Sequence, residues 1–380
     1  MIKSNAQLLI TVFFSLAFLT TGCAQQLQSE WPQTDFSKKS INLDEVMSGG
    51  PPKDGIPSID KPGFVSFHKA DHWLADVEPV VGVEINGDAR AYPLQILTWH
   101  EIVNDRFGDI PVSVTYCPLC NAAIAFDGRL RTGEKTLVLD FGTTGRLRKS
   151  DLVMYDRQTE SWWQQFTGEA IVGELNEKVL TLLSSTLISY KQFKESYPTG
   201  KVLSRETGFT RNYGHNPYQG YDDISSSPFL FKDPLDPRLP AMERVINVSF
   251  DGVNTLYPLT LVQQEEVIHD KVGNQNVVLF HLSGTASALD KASIADSRDI
   301  GSTTVFRPEA DGKMLTFKRT GSEFVDDQTG SRWNITGRAI AGPLKGKQLE
   351  PVVHGNHFAF AWLAFKPNSV IYGKGKSSSP

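Results

Sequence analysis

Val83-Glu84-Ile85-Asn86-Gly87, followed by Ala91-Tyr92-Pro93-Leu94, has a twin 165 positions on (Gly87 to Gly252). The twin reads Val248-Ser249-Phe250-Asp251-Gly252, followed by Leu256-Tyr257-Pro258-Leu259. Each is a strand, an Asx-Gly turn, a second strand and a Tyr-Pro-Leu lead into a helix. Asx-Gly between alternating apolar residues is a strong hairpin signal, because the tight turn needs positive φ at both central positions. Further on, Asp156-Arg157-Gln158-Thr159-Glu160-Ser161-Trp162-Trp163 matches Asp326-Asp327-Gln328-Thr329-Gly330-Ser331-Arg332-Trp333. Thr167-Gly168-Glu169-Ala170-Ile171 then matches Thr336-Gly337-Arg338-Ala339-Ile340. Collinear matches with so little drift point to duplication. They predict a strand-rich α+β fold: two tandem, diverged copies of one β-rich module with a few short helices.

The organisation follows from those anchors. Module 1 is expected over 61–207 and module 2 over 241–374, with a loop-rich insert at 208–240. Residues 23–60 read as a tether and an arm, because Pro and Gly punctuate 48–57 too often for a helix or a central strand. Pro93 is expected in the first turn of a helix. Val112-Ser113-Val114-Thr115-Tyr116 alternates as a strand, and Leu183 to Tyr197 reads as a second helix stopped by Pro198-Thr199-Gly200. The insert is rich in aromatics (Tyr213, Tyr218, Tyr221, Phe229, Phe231) and is expected to pack over one of the modules.

Composition sets bounds on function. The chain has 380 residues, 40% hydrophobic and 21% charged, enough for two cored domains. Its net charge of −5, without a Lys/Arg run, argues against nucleic acid as a partner. Residues 1–22 read as a secretory signal: Lys3, an apolar run Leu8 to Leu19, then Leu19-Thr20-Thr21-Gly22-Cys23. Gly22-Cys23 resembles a bacterial lipobox. That resemblance implies a lipid-modified Cys23, membrane attachment through two or three acyl chains, and a place in the cell envelope. Ala24 after the Cys is similar to the outer-membrane sorting pattern of Gram-negative cells, with the protein facing the periplasm.

Five segments together carry a wider likeness. They are Pro51 to Pro57, Trp99-His100-Glu101-Ile102-Val103-Asn104, Thr115-Tyr116-Cys117-Pro118-Leu119-Cys120, Ser150 to Arg157, and Gly208 to Tyr218. They resemble the domain-of-unknown-function family numbered 3179 (DUF3179) over nearly all of the mature chain. The resemblance implies one folded unit and brings no catalytic role.

The two copies offer an internal comparison. Features in both are expected to serve the fold, and features in one alone are candidates for function. Asp156 with Trp163, and Asp326 with Trp333, occur in both and read as structural. The thiol pair occurs once. At the same offset Cys117 falls on Leu282, Cys120 on Thr285 and His100 on Glu265.

Three readings of Cys117, Cys120 and His100 stand side by side. One is a soft-metal site, copper(I) being suited to thiolates, or zinc with a fourth ligand drawn from Asp127, Asp140 or His215. The second is a thiol–disulfide oxidoreductase working in the periplasm. The third is a structural disulfide in a non-catalytic scaffold that binds an envelope protein or polymer through the insert. Arg146 and Arg148 are a weaker anion-binding candidate. His68 with His72, and His354 with His357, read as surface or core packing. No nucleophile elbow or Walker-type loop is present.

Overall fold

The computed structural model describes residues 27–374; residues 1–22, expected to be a secretory signal, and Cys23, expected to carry lipid, lie outside the described residues. Both Asx-Gly turns form, with φ of 53° and 84° at Asn86 and Gly87 and of 52° and 78° at Asp251 and Gly252. They join Pro79–Ile85 to Asp88–Pro93, and Arg244–Phe250 to Val253–Pro258. The helices Leu94–His100 and Leu259–Glu265 follow directly. Pro93 and Pro258 precede these helices as N-caps rather than occupying their first turns. Each is still paired in its hairpin, Pro93 with Val80 and Pro258 with Val245, which holds it extended. Both helices end on a Glu of positive φ, Glu101 at 58° and Glu266 at 61°.

The sheets correspond in the same way. In the first half the order is Thr186–Ser189, Pro79–Ile85, Asp88–Pro93, Lys201–Leu203, with Phe64–Val65 at the edge. In the second it is His354–Phe358, Arg244–Phe250, Val253–Pro258, Val370–Ile371. The strands Lys201–Leu203 and Val370–Ile371 each pair in parallel with the second strand of their hairpin. A meander follows each helix: Ile102–Phe107, Ile110–Cys117 and Ala122–Asp127 in the first half, Val267–Val272, Gln275–Leu282 and Ser302–Phe306 in the second. A further antiparallel sheet in each half contains the Asp-x-Gln-Thr turn. Strand exceeds helix throughout, which makes the class α+β.

The halves do not own separate cores. Helix Ala359–Phe365, at the end of the chain, shares a buried cluster with Tyr116, Cys117 and Trp163. Tyr190 and Phe193, from the helix Tyr190–Ser196, share another with Phe280, Phe306 and Trp333. Each closing helix thus packs into the opposite half.

The expected helix over Leu183 to Tyr197 is only its last part. Thr181–Leu183 and Thr186–Ser189 are strands, and the helix starts at Tyr190. β-Branched Thr186 and Ile188 favour the strand. Ser189 and Gln192 then make a capping box that fixes the helix start.

Between Leu203 and Arg244 the described residues hold no helix or paired strand beyond one bridge, His215 to Ser293. The insert packs over both halves and not over one module alone: Tyr213, Tyr218, Tyr221, Leu230 and Phe231 rest against the core that holds Cys117, while Asp222 pairs with Arg244 and Arg298 and Phe231 meets Phe360. The arm docks on the first half. Val46–Ser48 pairs with Phe141–Arg148, and Gly145, at φ 69°, lets Pro51 approach so closely that a Cβ would lie 2.0 Å from its carbonyl oxygen.

Candidate metal centre

Strand Ile110–Cys117 runs straight into a single 3-10 turn, Pro118–Cys120, and Asn121 in the left-handed region (φ 50°) starts the next strand. Pro118 fits the first position of that turn because it has no N–H to offer. In a 3-10 turn residues three apart stand over one another, so both thiols end on one side. Cys117 Sγ and Cys120 Sγ lie 3.9 and 3.5 Å from the carbonyl oxygen of Ser150. The two sulfurs and one carboxylate oxygen of Asp151 all lie within 4.8 Å of one another. All three residues are at most 1% exposed.

Ser150 and Asp151 reach this place through a tight turn of the hairpin Phe141–Arg148 to Asp151–Asp156. Lys149 and Ser150 both hold positive φ, 55° and 67°. Non-glycine residues seldom tolerate that, and such backbone clusters at functional sites. Asp151 Oδ2 accepts from Gln164 Nε2 at 2.6 Å and from the Phe166 amide at 2.9 Å. Its buried Oδ1 has no hydrogen-bond partner.

Burial raises every acid here. It pushes the Asp151 carboxyl up to about 7. It pushes Glu101 up to about 8, helped by the charge of Asp151. Burial also raises the Cys117 thiol, and raises Cys120 well above the ordinary thiol value. Glu101 takes part although it is not in the three-residue cluster: its charge acts on Cys117. Among the described residues neither Asp151 nor Glu101 makes an ion pair with Lys, Arg or His. In the second half Glu266 instead pairs with Arg319, and the thiol positions hold Leu282 and Thr285, whose hydroxyl meets Ser302 Oγ at 2.5 Å.

The insert covers this site. Tyr221 Oη donates to the Leu119 carbonyl at 3.0 Å, and Ser150 Oγ donates to the Phe229 carbonyl. Tyr218 stands close enough to Glu101 and Cys117 for their charges to add to burial in raising its phenol.

His100 is placed elsewhere. Its Nδ1 is 2.7 Å from the Pro57 carbonyl and its Nε2 is 2.6 Å from Tyr213 Oη. Both ring nitrogens are therefore engaged by the arm and the insert, and the imidazole is not among the converging groups. The helix ends at His100, and the left-handed Glu101 turns its own side chain inward instead. The suggested fourth ligands are also elsewhere: Asp127 is paired with Arg129 at 2.6 Å, Asp140 accepts from Gln158, and His215 is exposed. Arg146 pairs with Glu30 at 2.9 Å and Arg148 with Glu45 at 2.7 Å, so both guanidiniums hold the arm to the sheet. His68 and His72 are exposed and 5.5 Å apart between ring centroids. His357 is packed on Trp362 and Phe166.

Asp151 and Glu101 are the site residues that the sequence reading passed over. Both stood inside quoted motifs, but neither carries a spacing signal linking it to the cysteines.

The fold and this cluster define a strand-rich α+β protein with a buried centre of two thiols and the Asp151 carboxyl group. Its family follows from sequence: the family model described as "Protein of unknown function (DUF3179)" matches residues 53–369, and the chain belongs to that family. No curated protein and no solved structure matches the chain.

Proposed function

We propose that the protein binds a borderline-soft divalent cation, zinc in the first instance, through Cys117, Cys120 and Asp151, with Glu101 beside them. One observation carries the reading: three buried acidic groups, Cys117, Cys120 and Asp151, converge within 4.8 Å, with Glu101 near enough for its charge to act on Cys117, and no cationic side chain is paired to either carboxyl group among the described residues. A buried acid must stay protonated or meet a positive charge. Here two of the protons are exchangeable for one divalent ion. Two thiolates with carboxylate oxygens suit zinc, which takes sulfur and oxygen at four-coordinate sites; copper(I) would use the sulfurs alone. An oxidoreductase needs an exposed, low-pKa thiol, and burial works against both properties here.

The envelope setting rests on the sequence through Cys23, which would hold the protein on the membrane by its lipid. The matching turns, sheets and Glu caps support descent of the two halves from one duplicated module. In that history only the first half kept, or gained, the acidic centre.

Metal analysis of protein loaded with zinc and dialysed decides the reading. About one ion per chain is expected for the natural sequence and close to none for Cys117→Ser/Cys120→Ser, since structural zinc is held at apparent free energies of about 10–16 kcal/mol. Equal, near-zero metal in both would end the proposal; copper displacing zinc at one equivalent would revise the ion. His100→Asn is expected to keep full occupancy. A loss there equal to that of the cysteine variant would return the imidazole to the ligand set.

A further inference from the structure

A cavity of about 290 Å³ opens on the seam between the two halves. This is at the small end of ligand pockets, which run from about 300 to 1,000 Å³ and favour such junctions. Its floor is Ala123 to Ala125 and its aromatic walls are Phe166 and Trp362. His357 joins them, 3% exposed, stacked on Trp362 at 5.8 Å between centroids. Gly355 makes room for that ring: a Cβ there would lie 2.2 Å from His357 Nε2. Burial holds His357 neutral, with its pKa down at about 3, so this wall carries no charge.

Charge is left to two groups lining the same cavity, Lys366 and Glu169. Neither makes an ion pair among the described residues, with each other or with anything else. The Glu169 carboxylate accepts only from the Thr167 hydroxyl, 3.3 Å away, and the Glu169 amide donates to that same hydroxyl. An apolar, aromatic interior with one free ammonium and one free carboxylate is complementary to a molecule of the opposite pattern.

We propose that this cavity binds a small zwitterion with an apolar body, of the α-amino acid class. Its carboxylate faces Lys366, its ammonium faces Glu169, and its side chain lies against Phe166 and Trp362. The site stands back to back with the thiol centre, because the Phe166 amide donates to Asp151 Oδ2 at 2.9 Å. If the metal reading holds, an occupant therefore touches the residue that orients a metal ligand.

Calorimetric titration of the full chain with L-phenylalanine, 3-phenylpropionate and phenethylamine tests the proposal. L-Phenylalanine is expected to bind saturably, with each singly charged analogue weaker by roughly tenfold. Lys366→Gln should weaken phenylalanine and phenylpropionate and spare phenethylamine, and Glu169→Gln should weaken phenylalanine and phenethylamine and spare phenylpropionate. Binding should persist in Cys117→Ser/Cys120→Ser, so failure of the metal site leaves this inference standing. Absence of saturable binding by all three probes up to about 10 mM, or binding indifferent to both charge variants, overturns it.

Discussion

Metal-free protein should lose thermal stability as pH rises from about 6.5 to 8. The sign follows from the acids at the centre. Folded Asp151 and Glu101 titrate near 7 and 8, whereas an unfolded chain ionises its carboxyls near 4. Across that interval the unfolded state has released protons that the folded state keeps, so stability falls as pH climbs. The stabilising share is fully present below the unfolded pKa and gone above the folded one. A drop of roughly 3–6 °C in the midpoint is expected for a few kcal/mol in a chain of this size. Below pH 5 other carboxylates act in the opposite sense. Asp236, held low first by its hydrogen bond with Arg238, and Asp88, held low by Arg90, lose their partners on protonation. Up to about pH 6.5 the histidines oppose the descent too: burial lowers His100, His269, His281, His354 and His357, so the unfolded chain takes up protons there that the folded one does not, and the scan therefore starts there.

Zinc should reverse that slope. Binding expels the protons that burial imposed, so affinity rises with pH by up to about two decades per unit while two protons are displaced. Asp151→Asn should flatten the metal-free descent in part: its own share goes and the charge that helps raise Glu101 goes with it, while burial still holds Glu101 up. It should also weaken zinc. The measurement is calorimetric melting at several pH values, with and without zinc. A midpoint flat from about pH 6.5 to 8 in the natural sequence would mean that the two carboxyls are not held protonated, and the charge argument for the cation would fall with them.

The pattern of what the sequence disclosed has a physical basis. Hairpins, Asx-Gly turns and the strand into Cys117 were legible because they are local: two residues of backbone preference decide them. The docking of the insert was legible from its aromatics, which need an apolar surface. Asp151 was not, since it meets the thiols by a long-range fold of the chain and by a Lys149-Ser150 turn whose positive φ no composition rule anticipates. The exchange of His100 for Glu101 turned on where one helix stops. A single residue in the left-handed region swings the next side chain to the opposite side, and termini are the least legible part of any helix. The shared cores escaped notice for a related reason: periodicity reports which face of the helix Ala359–Phe365 is apolar, not which half receives it.

Asp156→Ala and Asp326→Ala should each destabilise the protein by about 3–5 kcal/mol. Both carboxylates are fully buried. Asp156 accepts from Trp163 Nε1 at 2.8 Å and from the Thr159 amide at 2.7 Å. Asp326 accepts from Trp333 Nε1 at 2.9 Å and from the Thr329 amide at 2.6 Å. Truncation leaves an indole N–H stranded in a core, together with a turn amide, and each loss costs the full desolvation of a buried donor. Metal should separate the two variants. Asp156 ends the strand Asp151–Asp156, which delivers Asp151 to the thiols, and its partner Trp163 pairs with Met154 on that strand. Asp326 supports a strand of the second half, where no thiol stands. Zinc affinity, measured by competition with a chelator below the melting range, should drop severalfold in Asp156→Ala and hold in Asp326→Ala, although denaturant melts record similar losses for both. Equal weakening of zinc by the two would mean that the halves share the work of holding the centre, as their mixed cores would permit, and that the division between a structural copy and a functional one is wrong.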